Sequence, residues 1–190
     1  ETDSNNRRLW LNEDLIHRGS IFDRNENLLV YSQDDGQGKQ VRIYNYPLAS
    51  ASVTGYSSKT YGKTGIEKSY NRQLLALSDE NFSQFRKMVV KNDTGNDLHL
   101  TLDQHIQNIV YAYLSNYKAA CVIMKPNTGE VLAMVSTPTF NPNSVDADWN
   151  NLIQTDDGRL INRTTQGLYR PGSAYKICLL YTSDAADDSL

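Results

Sequence analysis

Two cysteines, three histidines and no large excess of charge of either sign leave several function classes without support in this 190-residue chain. Cys121 and Cys178 lack the paired spacing of a zinc or redox motif, and Cys121 sits in an apolar run that reads as core. His17, His99 and His105 stand in no carboxylate or thiol pattern, so neither a metal site nor a cofactor is expected. With 19 basic and 22 acidic residues the net charge is −3, and no basic stripe marks a nucleic-acid face. No hydrophobic run approaches the roughly 20 residues that span a bilayer, and no signal peptide is present. No internal repeat or low-complexity tract interrupts the chain. It begins at Glu1 rather than Met, which reads as a piece of a longer protein with an upstream anchor left open.

What is there is an alternation of short β-prone runs, turns and one helical stretch. Residues 18–32 hold two such runs around an Asp/Asn-rich turn, which predicts a β-hairpin. A further strand is expected over 41–46, ended by Pro47, and another over 85–91. Between them, Gly62-Lys63-Thr64 lacks the first glycine of a phosphate loop and reads as a glycine-bounded turn entering a short helix. From Thr101 the pattern sharpens. Thr101 with Gln104 fits a capping box, and Leu102, Ile106, Ile109, Val110, Tyr113 and Leu114 fall on one helical face, predicting a buried helix over 101–115. Residues 119–124 and 130–136 are apolar runs joined by a Pro-Asn-Thr-Gly turn. A hairpin apolar on both faces predicts an α/β layered domain with helices on each side. Residues 137–170 show little regular pattern, apart from a short helix expected around Trp149 and Leu152.

The chemistry-bearing stretch is Tyr169-Arg170-Pro171-Gly172-Ser173-Ala174-Tyr175-Lys176. Pro-Gly breaks the backbone and Ser is favoured at a helix start, so Ser173 is placed in a first helical turn. Residues three apart share a helical face, which puts the Lys176 amine beside the Ser173 hydroxyl. A serine nucleophile needs a base within reach, and lysine serves when desolvation or a neighbouring cation disfavours its charged form. Helix-start N–H groups offer partial positive charge to an oxyanion. The bland reading stands beside this one: an N-terminal serine cap with a solvated lysine. A second Ser-x-x-Lys, at Ser115 and Lys118, falls at the end of a predicted helix, where the dipole opposes an alkoxide, and reads as chance.

Five stretches, taken in order, resemble the class B penicillin-binding proteins, peptidoglycan D,D-transpeptidases. They are Arg18-Gly19-x-Ile21-x-Asp23-Arg24-Asn25; Gly62-Lys63-x-Gly65-Ile66-Glu67-x-Ser69-Tyr70-Asn71; Leu100-Thr101-Leu102-Asp103 with the helix and hairpin after it; Ser136-Thr137-Pro138-x-Phe140-Asn141-Pro142-Asn143; and Asn162-Arg163-x-Thr165-Gln166-Gly167-x-Tyr169-x-Pro171-Gly172-Ser173-x-x-Lys176. The resemblance implies an α+β fold: a non-catalytic N-terminal module over 1–95, then over 96–177 the opening helix, hairpin and nucleophile helix of a transpeptidase domain, whose antiparallel sheet is flanked by helices. It implies Ser173 as nucleophile and Lys176 as general base. The implied partners are a stem peptide ending in D-Ala-D-Ala, β-lactams that acylate the same serine, and a membrane glycan polymerase. The implied location is the extracytoplasmic face of the cell membrane. The family's Ser-x-Asn and Lys-Thr-Gly elements lie downstream of the nucleophile and are expected beyond residue 190. Ser78-Asp79-Glu80-Asn81 and Lys63-Thr64-Gly65 lie on the wrong side of Ser173 and read as decoys. Residues 178–190 depart from the family pattern and look like read-through of a sequencing adapter, so the native sequence is expected to end at Ile177. A β-lactam sensor or assembly scaffold on the same fold remains the alternative.

Overall fold

The computed structural model describes residues 17–36, 38–76 and 94–187, with side chains described through 181. The strand expected over 85–91 and the Ser78 decoy lie outside the described residues. The first hairpin forms as expected: β1 (Ile21–Phe22) runs antiparallel to β2 (Leu28–Asp34), and β3 (Gln40–Tyr44) extends the sheet on the far side of β2. A fourth strand, β6 (Leu98–His99), pairs parallel to β1, giving the order β3-β2-β1-β6. Ile21, Leu29, Val30, Tyr44 and Leu74 form the core beneath this sheet. Gly19 is required there because a Cβ would sit 1.9 Å from the Asn96 carbonyl oxygen.

A buried charge triad ties the sheet to the segment that follows it. Glu67, fully buried, accepts from Arg18 Nε at 2.7 Å and from Arg42 Nε at 2.7 Å. Arg18 also donates to the Glu67 carbonyl and to Asn71 Oδ1. Glu67 and Asn71 sit on α2 (Gly65–Ser69) and α3 (Asn71–Leu74), which follow the small β4–β5 hairpin (Ser57–Ser58 with Gly62–Lys63). The Gly62 region is thus the turn into a short helix that the sequence predicts. Burial pushes the Tyr44 hydroxyl well above its usual range, and the Glu67 carboxylate beside it adds to the effect.

A second core crosses from the early to the late part of the chain. α1 (Pro47–Thr54) contributes Ala51, and Tyr56 follows it; both pack with Phe140, Val145 and Leu152. Tyr61 stacks on Trp149 at 4.1 Å. Trp149 and Leu152 lie on α5 (Val145–Gln154), the short helix expected there, preceded by a 3₁₀ turn at Pro142–Ser144.

The helix and second hairpin are present, with two corrections. α4 (Gln104–Leu114) is capped by Asp103, whose side chain accepts from the His105 and Ile106 N–H groups; it is not capped by Thr101. The Thr101 hydroxyl instead donates to the Val131 carbonyl. The buried positions of α4 are Gln104 and Gln107, while Ile109 is 45% and Tyr113 78% exposed. The expected apolar stripe is therefore split: Leu102 is buried and Ile106, Val110 and Leu114 are half-buried, whereas Ile109 and Tyr113 face solvent. β7 (Ala119–Met124) and β8 (Val131–Thr137) pair antiparallel. β8 is largely buried, whereas Ala120, Val122 and Met124 of β7 are exposed.

Candidate active site

The frame of the site is β8, and its outer edge is sealed by side chains rather than by another strand. Met134 N–H donates to Gln107 Oε1 at 2.8 Å, and Gln107 Nε2 donates back to the Met134 carbonyl at 2.8 Å and to the Ala49 carbonyl at 2.7 Å. The Gln107 amide thus acts as a one-residue strand on β8, and at the same time holds α1 against it. The Ser52 hydroxyl donates to the same Met134 carbonyl, and Asp103 N–H donates to the Leu132 carbonyl. An edge with its N–H and C=O groups satisfied is closed to further pairing. α4 is positioned in turn by Asp23, which accepts from Gln104 N–H as well as from Asn25 and Asn27. Burial pushes the Asp23 carboxyl up, but these hydrogen bonds outweigh it and hold the group below the usual carboxylate range.

The segment that carries the candidate nucleophile is anchored at its start. α6 (Arg163–Gln166) is capped by Asn162, whose Oδ1 accepts from Thr164 N–H and whose Nδ2 donates to the Ser52 carbonyl of α1. The Ser136 hydroxyl of β8 accepts from Arg163 N–H and donates to the Ile161 carbonyl. Arg163, largely buried, closes the 157–163 loop by donating to the Gly158 and Asp157 carbonyls. Asn143 clasps Tyr44 by accepting from its N–H and donating to its carbonyl. The sequence displays Ser136, Asn143, Asn162 and Arg163 within its recognisable stretches but gives no indication that they bolt the early and late halves together.

Ser173 lies in a 3₁₀ turn, Gly172–Ala174, that runs directly into α7 (Tyr175–Asp187). Gly172 enters this turn with φ +55, a left-handed conformation that suits glycine. Lys176 falls in the first turn of α7, three residues on, and a 3₁₀ turn aligns residues at that spacing. Both side chains are exposed and, among the described residues, neither makes a hydrogen bond. Ser115 at the end of α4 donates to the Ala112 carbonyl, in keeping with the chance reading of its Ser-x-x-Lys. Along α7, Ile177 is 74% and Leu180 69% exposed. No helix among the described residues is long and apolar enough to cross a membrane.

Comparison with known proteins covers both halves of the chain. The penicillin binding protein A dimerisation domain matches residues 18–98, and the penicillin binding protein transpeptidase domain matches 119–184, running past Ile177. The peptidoglycan D,D-transpeptidase PbpA of Mycolicibacterium smegmatis is 32% identical over 92% of this chain and 39% of its own length. MrdA of Escherichia coli, also named a peptidoglycan D,D-transpeptidase, is 33% identical over 74% of this chain and 28% of its own. Among solved structures, the penicillin G acyl-enzyme complex of penicillin-binding protein A from M. tuberculosis superposes with a TM-score of 0.80 at 29% identity, covering 90% of this chain and 43% of that one. A D,D-transpeptidase domain from Eggerthella lenta gives 0.78 at 35% identity, covering 91% and 38%. The chain thus spans about two fifths of the length of relatives such as these.

Proposed function

Because this chain belongs to the penicillin-binding proteins, we propose that it is the N-terminal module and opening portion of a serine D,D-transpeptidase, and that Ser173 is its nucleophile. The observation that carries the proposal is the placement of Ser173 in a tight turn at the head of α7, inside the matched transpeptidase segment, with Lys176 one turn later.

In the full-length protein Lys176 takes the Ser173 proton as the hydroxyl attacks the penultimate carbonyl of a D-Ala-D-Ala stem peptide. D-alanine leaves, and an amine from a second strand resolves the acyl-enzyme into a cross-link. β-Lactams acylate the same oxygen. The Lys176 amine is exposed in this chain, and on this reading the rest of the transpeptidase domain desolvates and orients it. The open edge of β7 and its exposed face are where further strands and helices of the domain add. The non-catalytic sensor reading has no support among relatives named as transpeptidases.

On this reading the protein works at the extracytoplasmic face of the cell membrane beside a glycan polymerase. Residues 1–95 are its non-catalytic module, 96–177 the transpeptidase opening and 178–190 a non-native tail, a boundary against which the transpeptidase match, extending to residue 184, weighs. The test is covalent labelling by a fluorescent penicillin in a full-length protein recovered around this segment. Ser173→Ala should abolish the label, and full labelling of that variant overturns the assignment.

A further inference from the structure

The end of α1 and the start of α6 are capped by the same side chain. Asn162 Oδ1 accepts from the Thr164 N–H at 3.1 Å, while its Nδ2 donates at 2.7 Å to the Ser52 carbonyl in the last turn of α1. That carbonyl is open to such a donor, because the N–H four residues on, at Tyr56, turns to the Thr64 hydroxyl at 3.3 Å. Helix ends leave N–H and C=O groups in need of partners, and here one amide serves both kinds. The Ser136 hydroxyl straddles the same residue, bonded to the Ile161 carbonyl before it and to the Arg163 N–H after it. Asn162 is thus fixed from α1 on one side and from β8 on the other, and α1 lies in the stretch that matches the dimerisation domain.

The chain between this anchor and Ser173 has little else to hold it. α6 is four residues long, too short to be stable without partners. Its exit at Gly167 is tight: a Cβ there would lie 2.5 Å from the Arg163 carbonyl oxygen and 2.4 Å from the Tyr169 ring, so the chain folds back on α6 as it leaves. Among the described residues, no hydrogen bond ties residues 168–173 to any earlier part of the chain. Pro171, with φ −67, and the left-handed Gly172, with φ +55, stiffen the last step into the serine turn. The direction in which α6 points is therefore passed on to Ser173.

We infer, on the reading that Ser173 is the nucleophile, that Asn162 is a positioning residue for it. The amide does not touch the reacting atoms; it sets, through α6, where the serine turn begins. Its hold on the Ser52 carbonyl makes the segment matched to the dimerisation domain part of that setting. The task needs an acceptor and a donor on one short side chain, which the asparagine amide provides. Aspartate caps a helix about as well but, ionised, donates nothing. Serine also caps well, through an oxygen one bond nearer the backbone and without the second arm of the amide.

The experiment compares Asn162→Asp and Asn162→Ser with the parent in a full-length protein recovered around this segment. Fluorescent penicillin is the probe, and the labelled residue is mapped by mass spectrometry. Time courses over a range of penicillin concentrations separate the dissociation constant of the encounter complex from the acylation rate constant, and end-point labelling gives the competent fraction. Both variants should acylate Ser173 about tenfold to a hundredfold more slowly, the scale for a reacting group displaced by up to about 1 Å. The dissociation constant and the competent fraction should stay at the parent values. A role confined to folding would instead lower the competent fraction and the melting midpoint at an unchanged rate constant, and that result overturns the inference. Parent-like rates in Asn162→Ser overturn it too, whether or not Asn162→Asp is slow, since slowing in the aspartate variant alone belongs to its added charge. In each of these cases the label still maps to Ser173 and the nucleophile assignment stands. Label that maps to another residue in the parent overturns that assignment and this inference with it.

Discussion

Replacing Gln107 by leucine tests whether the polar seal on β8 holds the two halves of the chain together. The side chain is completely buried and serves three backbone groups: the Met134 N–H, the Met134 carbonyl and the Ala49 carbonyl. In Gln107→Leu the Met134 carbonyl keeps the Ser52 hydroxyl at 3.1 Å and the Ala49 carbonyl keeps its place in the α1 hydrogen-bond ladder, but the Met134 N–H is left without its partner. The stranded buried N–H costs about 1–3 kcal/mol, the lost second bond to the Ala49 carbonyl adds to this and leucine returns some apolar burial, so a net loss of about 1–3 kcal/mol is expected. Against a typical total of about 5–15 kcal/mol this is a large fraction. The assay is equilibrium urea denaturation, read as a fall in midpoint at an unchanged slope. Ile109→Ala, on the exposed face of the same helix, is the control and should change stability by no more than about 0.5 kcal/mol. A loss in Gln107→Leu below about 1 kcal/mol, or a larger loss in Ile109→Ala, would refute the reasoning: it would mean that α4 is held by its apolar stripe after all.

Glu67→Gln removes the carboxylate that the buried Arg18 and Arg42 guanidinium groups share and should cost about 3–5 kcal/mol in the same denaturation assay; a neutral result would show that water reaches the triad. Asp23 has a depressed native pKa, so its contribution is present above the unfolded-state value and is lost as pH falls through the native one. Stability should therefore decline below about pH 4, and Asp23→Asn should lower stability at neutral pH while flattening that decline; parallel acid limbs for the two proteins would exclude Asp23 as a contributor. In a full-length protein, Lys176→Arg should suppress penicillin acylation about as severely as loss of the nucleophile, because guanidinium cannot accept a proton; near-normal acylation rates would assign the base elsewhere.

Local chemistry was legible in the sequence wherever neighbours along the chain decide it. The first hairpin follows from β-prone runs around an Asp/Asn turn, the second from two apolar runs around Pro126-Asn127-Thr128-Gly129, and the turn at Ser173 from Pro171-Gly172. The five ordered stretches were enough to place the chain in its family. Tertiary structure decided which polar residues are structural. Thr101 and Asp103 both suit a helix start, but the helix begins at Gln104, so Asp103 caps it while Thr101 turns its hydroxyl to the Val131 carbonyl, 30 positions away. Periodicity assigned the apolar side of α4 to the core, because apolar burial is the default for an amphipathic helix. The helix instead faces a strand edge, where unpaired N–H and C=O groups need an amide, and Gln107 supplies it. The same holds for Arg42, Glu67 and Asn162. Their value lies in hydrogen bonds to groups 24 to 110 residues distant, and no spacing rule along a single chain can read a pairing that only folding creates.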